Sequence, residues 1–148
     1  NLAAIVGMGV AAELARQEGP EEARRLSVLR DRLLQGLTAL PDCRVTGSPV
    51  RRLPHHASLS LRGVKSDSVL MDLDLQGVIA SSGSACASVT HEPSHVLRAI
   101  GLDSEESEGA LCFTLGRWTT TPEVETVLSI VPRTVSRLRA LAPPKLVR

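Results

Sequence analysis

The segment Ser81-Ser82-Gly83-Ser84-Ala85-Cys86-Ala87-Ser88 sets one thiol among small side chains. Small neighbours cannot wall in a sulfur, so the sequence predicts an exposed Cys86 on a mobile loop. An exposed thiol is a nucleophile once deprotonated, with an ordinary pKa of ~8.5. His91 and His95 follow five and nine residues later, and the start of the next helix favours an anion. By spacing alone the same residues fit better a flexible Ser/Gly turn that carries an incidental cysteine.

The remaining polar groups give weaker signals. Cys43 begins a strand and Cys112 lies inside one, where a free cysteine serves as a small hydrophobe, so both read as core residues. Three cysteines at wide spacings form neither a disulfide framework nor a zinc site, and a reducing, cytoplasmic compartment fits them. His55 and His56 are adjacent on a strand entry and point to opposite faces, which disfavours joint metal coordination. Arg51-Arg52 reads as a solvated edge rather than a phosphate site. Asp72 and Asp74, two apart on a helix, do not share a face. Arg117, after Gly116 at a strand end, could bind an anion or face water.

The elements that must position these groups follow from periodicity. Leu2 to Gln17 reads as a helix apolar nearly all round, which is normally buried against something large. Gly19-Pro20 opens a second helix, with Leu26, Leu29, Leu33, Leu34 and Leu37 on one stripe, ending near Leu40-Pro41. Short strands follow at Cys43 to Val45 and Ala57 to Leu61. Ser66 reads as the cap of a helix from Asp67 to Leu75, and Gly77 precedes a strand Val78 to Ala80. Beyond the Cys86 loop come a helix from Pro93 to Ile100, an acidic exposed turn at Ser104 to Glu108 and a strand from Ala110 to Leu115. A final helix, capped at Thr120 or Thr121 and kinked at Pro132, reaches Leu141. This order predicts an α/β two-layer sandwich with a short mixed or antiparallel sheet.

Composition closes off several classes. With 148 residues, 43% hydrophobic and 22% charged, the chain is one ordinary globular domain, neither disordered nor long enough in apolar runs to span a bilayer. A net charge of +1 gives no bulk reason to bind nucleic acid or an anionic membrane. One Trp, one Phe and no Tyr leave no stacking platform for single strands. The positive charge comes from fifteen arginines and only two lysines, Lys65 and Lys145, so candidates for amine chemistry are few. The opening Asn1-Leu2-Ala3-Ala4 lacks both a charged leader and an initiator Met, and reads as a cut inside a longer protein.

Three segments together carry a family resemblance. Ser81 to Cys86, followed by Glu92-Pro93-Ser94-His95-Val96-Leu97-Arg98-Ala99-Ile100-Gly101, resembles the catalytic-cysteine segment of NifS/IscS-like cysteine desulfurases, in their long-loop subgroup. Phe113-Thr114-Leu115-Gly116-Arg117-Trp118-Thr119-Thr120 is similar to that family's strand-to-helix segment, and Asn1 to Gly9 to the helix joining its two domains. The resemblance implies the small C-terminal domain of a fold-type-I pyridoxal phosphate (PLP) enzyme, residues 1–148, with an interdomain helix at 1–17 and a catalytic-cysteine loop at 81–92. It implies that Cys86 takes sulfur from L-cysteine as a persulfide, leaving L-alanine, and delivers it to an acceptor or iron–sulfur scaffold protein. A swinging loop tip would suit both tasks. It further implies a homodimer at full length.

Two departures qualify the resemblance. The family's Schiff-base lysine follows a histidine in the large domain, and neither Lys65 nor Lys145 has that context. PLP is therefore expected in the full-length protein and not on this chain alone. The family's carboxylate-binding arginine falls at Cys112, and a thiol cannot replace a bidentate guanidinium. Arg117 or another group must compensate, or the substrate has changed. A selenocysteine lyase or related PLP lyase and a degenerate, non-catalytic sulfur-transfer module therefore stay open beside the desulfurase.

Overall fold

The computed structural model describes residues 1–83 and 94–141. Cys86, His91 and most of the 81–92 loop lie outside the described residues, as do Pro143 and Lys145.

The leucine stripe folds as expected, but within one helix. α1 spans Leu2–Thr38 and contains Pro20, so the expected break into two helices is corrected. Pro20 has no N–H to offer the carbonyl four residues back, and its ring also crowds the Cβ of the residue before it. That residue is Gly19, which has no Cβ to clash. The second half of α1 buries Leu26, Leu29, Leu33, Leu34 and Leu37. The first half stays exposed among the described residues, Leu2 at 77% and Met8 at 76%.

β1 (Cys43–Val45) and β2 (His56–Leu61) lead to α2 (Ser66–Leu75). Lys65, not Ser66, is the N-cap of α2 and makes no side-chain capping bond, while Ser66 is buried inside the first turn. The strand expected at Val78 to Ala80 falls instead at β3, Ser81–Ser82. The reason is the ending of α2. The Val78 amide donates to Leu73 O at 2.9 Å and the Gly77 amide to Asp74 O at 2.9 Å, with Gly77 at φ 78°. This paired closure needs a left-handed residue and uses up the Val78 amide, so the ladder begins three residues later.

α3 (His95–Ala99), α4 (Ser104–Glu108), β4 (Ala110–Thr114) and α5 (Thr121–Leu141) complete the chain. Pro132 leaves α5 unbroken. α4 is a full helical turn with a capping box between Asp103 and Glu106, and Glu106 and Ser107 are buried, contrary to the expected exposed turn.

The sheet is antiparallel throughout, in the order β1-β2-β4-β3. Ala57, Leu59, Leu61, Leu111 and Phe113 point from it into a core shared with α1, α2 and α5. The alternate residues point the other way. There the Ser60 hydroxyl donates to Glu106 O of α4, and Ala110 packs with Leu97 and Leu102 in a smaller cluster. Cys43 packs against the main core, as expected.

Candidate functional site

The pleat decides where Cys112 goes. Its neighbours in β4, Leu111 and Phe113, face the core, so Cys112 faces away from it, which corrects the reading of Cys112 as a core residue. It pairs with Ser58 of β2 on one side and Ser81 of β3 on the other. Two serines flanking a cysteine leave space. Cys112, Ser58, Ser81, Ser82, Arg51, Arg52 and His56 line a cavity of about 400 Å³, closed on one side by Val96, Leu97 and Ile100 near α3.

The β1–β2 connection forms the cavity wall and is held in place by a hydrogen-bond framework. The Ser48 hydroxyl accepts from the amides of Val50 (3.3 Å) and Arg51 (2.9 Å). The Arg52 guanidinium donates to Ser48 O (2.9 Å), Thr46 O (2.8 Å) and His56 O (3.4 Å). Arg30, buried on α1, donates to Leu53 O at 2.9 Å. Arg52 is thus not a solvated edge residue: its donors hold three carbonyls and fix the loop. Arg51 is exposed, as expected, and its guanidinium has no hydrogen-bond partner among the described residues.

At the cavity floor the Cys112 Sγ lies 3.5 Å from His56 Nδ1. Burial raises the Cys112 pKa. Burial, together with the charges of Arg52 and His55, lowers that of His56. Both shifts favour the uncharged forms, so near neutral pH this is a contact between a thiol and a neutral imidazole. Any net charge on the cavity wall comes from the arginines.

Arg117 is elsewhere. It is ion-paired with Glu18 of α1 and sits over the exposed Trp118 ring, 5.7 Å from its centroid. Arg25 fixes that turn by donating to the carbonyls of Arg117 (2.8 Å) and Thr119 (2.7 Å). Arg117, Glu18, Leu14 and Arg25 line a second cavity of about 730 Å³ along α1. Arg117 and Cys112 therefore do not share a site.

The remaining candidates separate too. His55 accepts from the Leu115 amide through its carbonyl at 2.9 Å and lines neither cavity among the described residues. Asp72 is tied to Thr134 and Arg137 of α5, a structural contact between helices. Among the described residues no group of three or more His, Cys, Asp or Glu could hold a metal ion. Lys65 is exposed at the head of α2 and is not among the described residues that line either cavity. No described helix is long and apolar enough to cross a membrane.

The root of the Cys86 segment is fixed. The Gly83 amide donates to Ala110 O at 3.0 Å, and a Cβ at Gly83 would come within 2.8 Å of the Ala110 Cβ and 3.0 Å of Leu97. Cys86 is three residues further along the chain, a tether of at most about 11 Å.

Comparison with known proteins bears on the same residues. The class-V aminotransferase family profile matches residues 1–127. A protein of Archaeoglobus fulgidus named cysteine desulfurase IscS 1 is 42% identical over 143 residues, covering 97% of this chain and 37% of its own length. A solved NifS-like protein superposes with a TM-score of 0.81 at 27% identity, covering 93% of this chain and 34% of that one. The NifS-like protein from Rickettsia africae gives 0.80 at 24% identity over 92% of this chain and 35% of that one, a likeness of fold. The chain thus spans little more than a third of the relatives it matches.

Proposed function

The chain belongs to the class-V aminotransferase family, and from that premise we propose that it is the small C-terminal domain of a PLP-dependent cysteine desulfurase in which Cys86 carries the sulfur. The supporting observation is 42% identity to a cysteine desulfurase across 97% of the chain, with Cys86 within the segment that resembles the family's sulfur-carrying loop. In net terms the C–S bond of L-cysteine breaks and an S–S bond to Cys86 forms. The two thiol hydrogens end on the new persulfide and on the methyl group of L-alanine, so atoms and electrons balance.

The described residues do not fit PLP. Neither cavity presents an amine, and Lys65 stands in solvent. We assign the cofactor and its chemistry to the part of the protein that this chain does not span. What this chain contributes is a pinned strand, Ser81–Ser82, from which the thiol-bearing segment departs, and the cavity beside it. The acceptor would be a sulfur-transfer or iron–sulfur scaffold protein, the full-length enzyme a cytoplasmic homodimer, and the segment 1–17 the link between its domains.

Full-length protein tests the reading through sulfide or persulfide formed from L-cysteine. Replacing Cys86→Ser should lower that rate at least ~100-fold, the scale on which loss of a catalytic nucleophile acts, and equal activity overturns the assignment. The cysteine at position 112 sustains a second reading, a lyase acting on selenocysteine. Turnover confined to selenocysteine would establish it.

A further inference from the structure

We propose that α1 bends at Gly19-Pro20 and that the ion pair between Glu18 and Arg117 is the catch that holds it straight. The two halves of this helix have opposite surroundings. Every residue from Asn1 to Glu18 is exposed, whereas Leu26, Leu29, Leu33, Leu34 and Leu37 are buried in the domain. The first half is therefore an arm about 25 Å long, joined to the body through a weak turn. Pro20 gives no amide to the carbonyl of Arg16, and glycine and proline carry the poorest helix propensities. Sharp bends in helices collect at such residues. A cavity of about 730 Å³ runs past the joint, from Ala11 and Leu14 to Glu22 and Arg25, so the arm has room to swing.

The catch is built across that joint. Glu18 stands on the arm. Arg117 belongs to the body: its carbonyl accepts from Arg25 at 2.8 Å, and Arg25 also donates to Thr119 O at 2.7 Å and pairs with Glu22 at 3.1 Å. Arg25 thus fastens the 116–119 turn to the second half of α1, and Arg117 reaches back past Pro20 to the first. The Trp118 ring, 5.7 Å from the Arg117 guanidinium, keeps that group near when the pair opens. Both partners are about half exposed, so the pair is weak and weakens further with salt. A weak tie across a weak turn leaves two arm positions that a small change rebalances. The consequence for sulfur transfer rests on the reading of 1–17 as the link to the rest of the protein. β3, from which the Cys86 segment departs, turns with the body, so the catch sets the angle at which that segment meets the remainder.

Double electron–electron resonance on the full-length protein tests this, with nitroxides on unnatural amino acids at the exposed positions 13 and 136, one on the arm and one on the body. A bend of about 20° moves position 13 by about 3 Å. Wild type at low salt should show mainly one distance. Glu18→Gln should raise the population of a second, displaced by about 3 Å, by up to about fivefold, the range of an exposed ion pair. Salt at about 0.5 M should do the same to wild type and nothing further to Glu18→Gln. The double variant Gly19→Ala, Pro20→Ala restores the missing amide, and a Cβ at position 19 meets open space. It should show one distance with or without Glu18. Distances that match in wild type and Glu18→Gln overturn the proposal, even where Glu18→Gln melts lower, and so does a second distance that persists in the double variant. Sulfide released from L-cysteine with unmoved distances sinks the catch and leaves the desulfurase reading standing. Distances that respond in a protein making no sulfide do the reverse.

Discussion

The two faces of the sheet use the same strands for opposite ends. On the covered face Ala57, Leu59, Leu61 and Leu111 are fully buried under α1, α2 and α5. On the other face the residues between them, His56, Ser58, Cys112 and Ser81, line a cavity. One step along the chain separates structural from chemical service, because a strand sends alternate side chains to opposite sides. The comparison teaches that Leu111 and Cys112, adjacent and both nonpolar by type, should answer differently to every perturbation.

Truncation should show the widest gap. Leu111→Ala leaves a hole in a close-packed core and should cost ~2–5 kcal/mol in urea denaturation. Cys112→Ala, on the open cavity, should stay within about 1 kcal/mol of wild type. Equal losses would mean that the cavity face is packed as tightly as the other and would break the distinction.

Alkylation sharpens it through the cysteines. Burial pushes the Cys43 thiol up to about 11. At pH 8 its thiolate fraction falls on the order of 100-fold below that of an ordinary thiol. Iodoacetamide labelling read by mass spectrometry should therefore find Cys43 the slowest in the folded protein, with Cys112 faster. Cys43 reacting as fast as Cys112 would contradict the packing described for the covered side.

The smallest effect concerns α4, which covers the far end of the open face. The Asp103 carboxylate accepts from the Glu106 amide and pairs with Arg62, and the Glu106 carboxylate accepts from the Asp103 amide and pairs with Arg44. These bonds hold both carboxyl groups below their ordinary values of 3.8 and 4.5. Lowered folded-state values mean stability that is present above the ordinary values and lost as pH falls through the folded ones. The melting temperature should stay level from pH 7 down to ~5 and drop below pH ~4. The double variant Asp103→Asn, Glu106→Gln should melt lower at pH 7 and show a shallower acid limb. An unchanged acid limb would assign the pH response to other carboxylates.

Much of this was legible in the residues. The leucine stripe of α1, the alternation of Ala57 to Leu61 and the start of α5 near Thr121 all follow from periodicity and capping, which are local properties. What misled were places where a local rule met a neighbour. Gly19-Pro20 reads as a stop, but the missing Cβ of glycine lets the helix run through. Val78 to Ala80 reads as a strand, but closure of α2 takes the Val78 amide. Arg51 and Arg52 are indistinguishable by type, and no pattern in an irregular loop reveals that one holds three carbonyls and the other none.

The sequence alone determined the family, through the Cys86 segment and the Phe113 to Thr120 segment, and with it the chemistry to look for. It also determined that this chain lacks a lysine in the family's cofactor context, since an amine either follows the right residues or does not. Tertiary structure alone decided that Cys112 faces a cavity rather than the core, that Arg117 belongs to a different cavity, and that Arg51 lines the Cys112 cavity with no side-chain hydrogen-bond partner among the described residues. Those facts depend on strand register and on hydrogen bonds between residues far apart in the chain. Such pairings are set by packing over the whole domain, and no stretch of neighbouring residues encodes them.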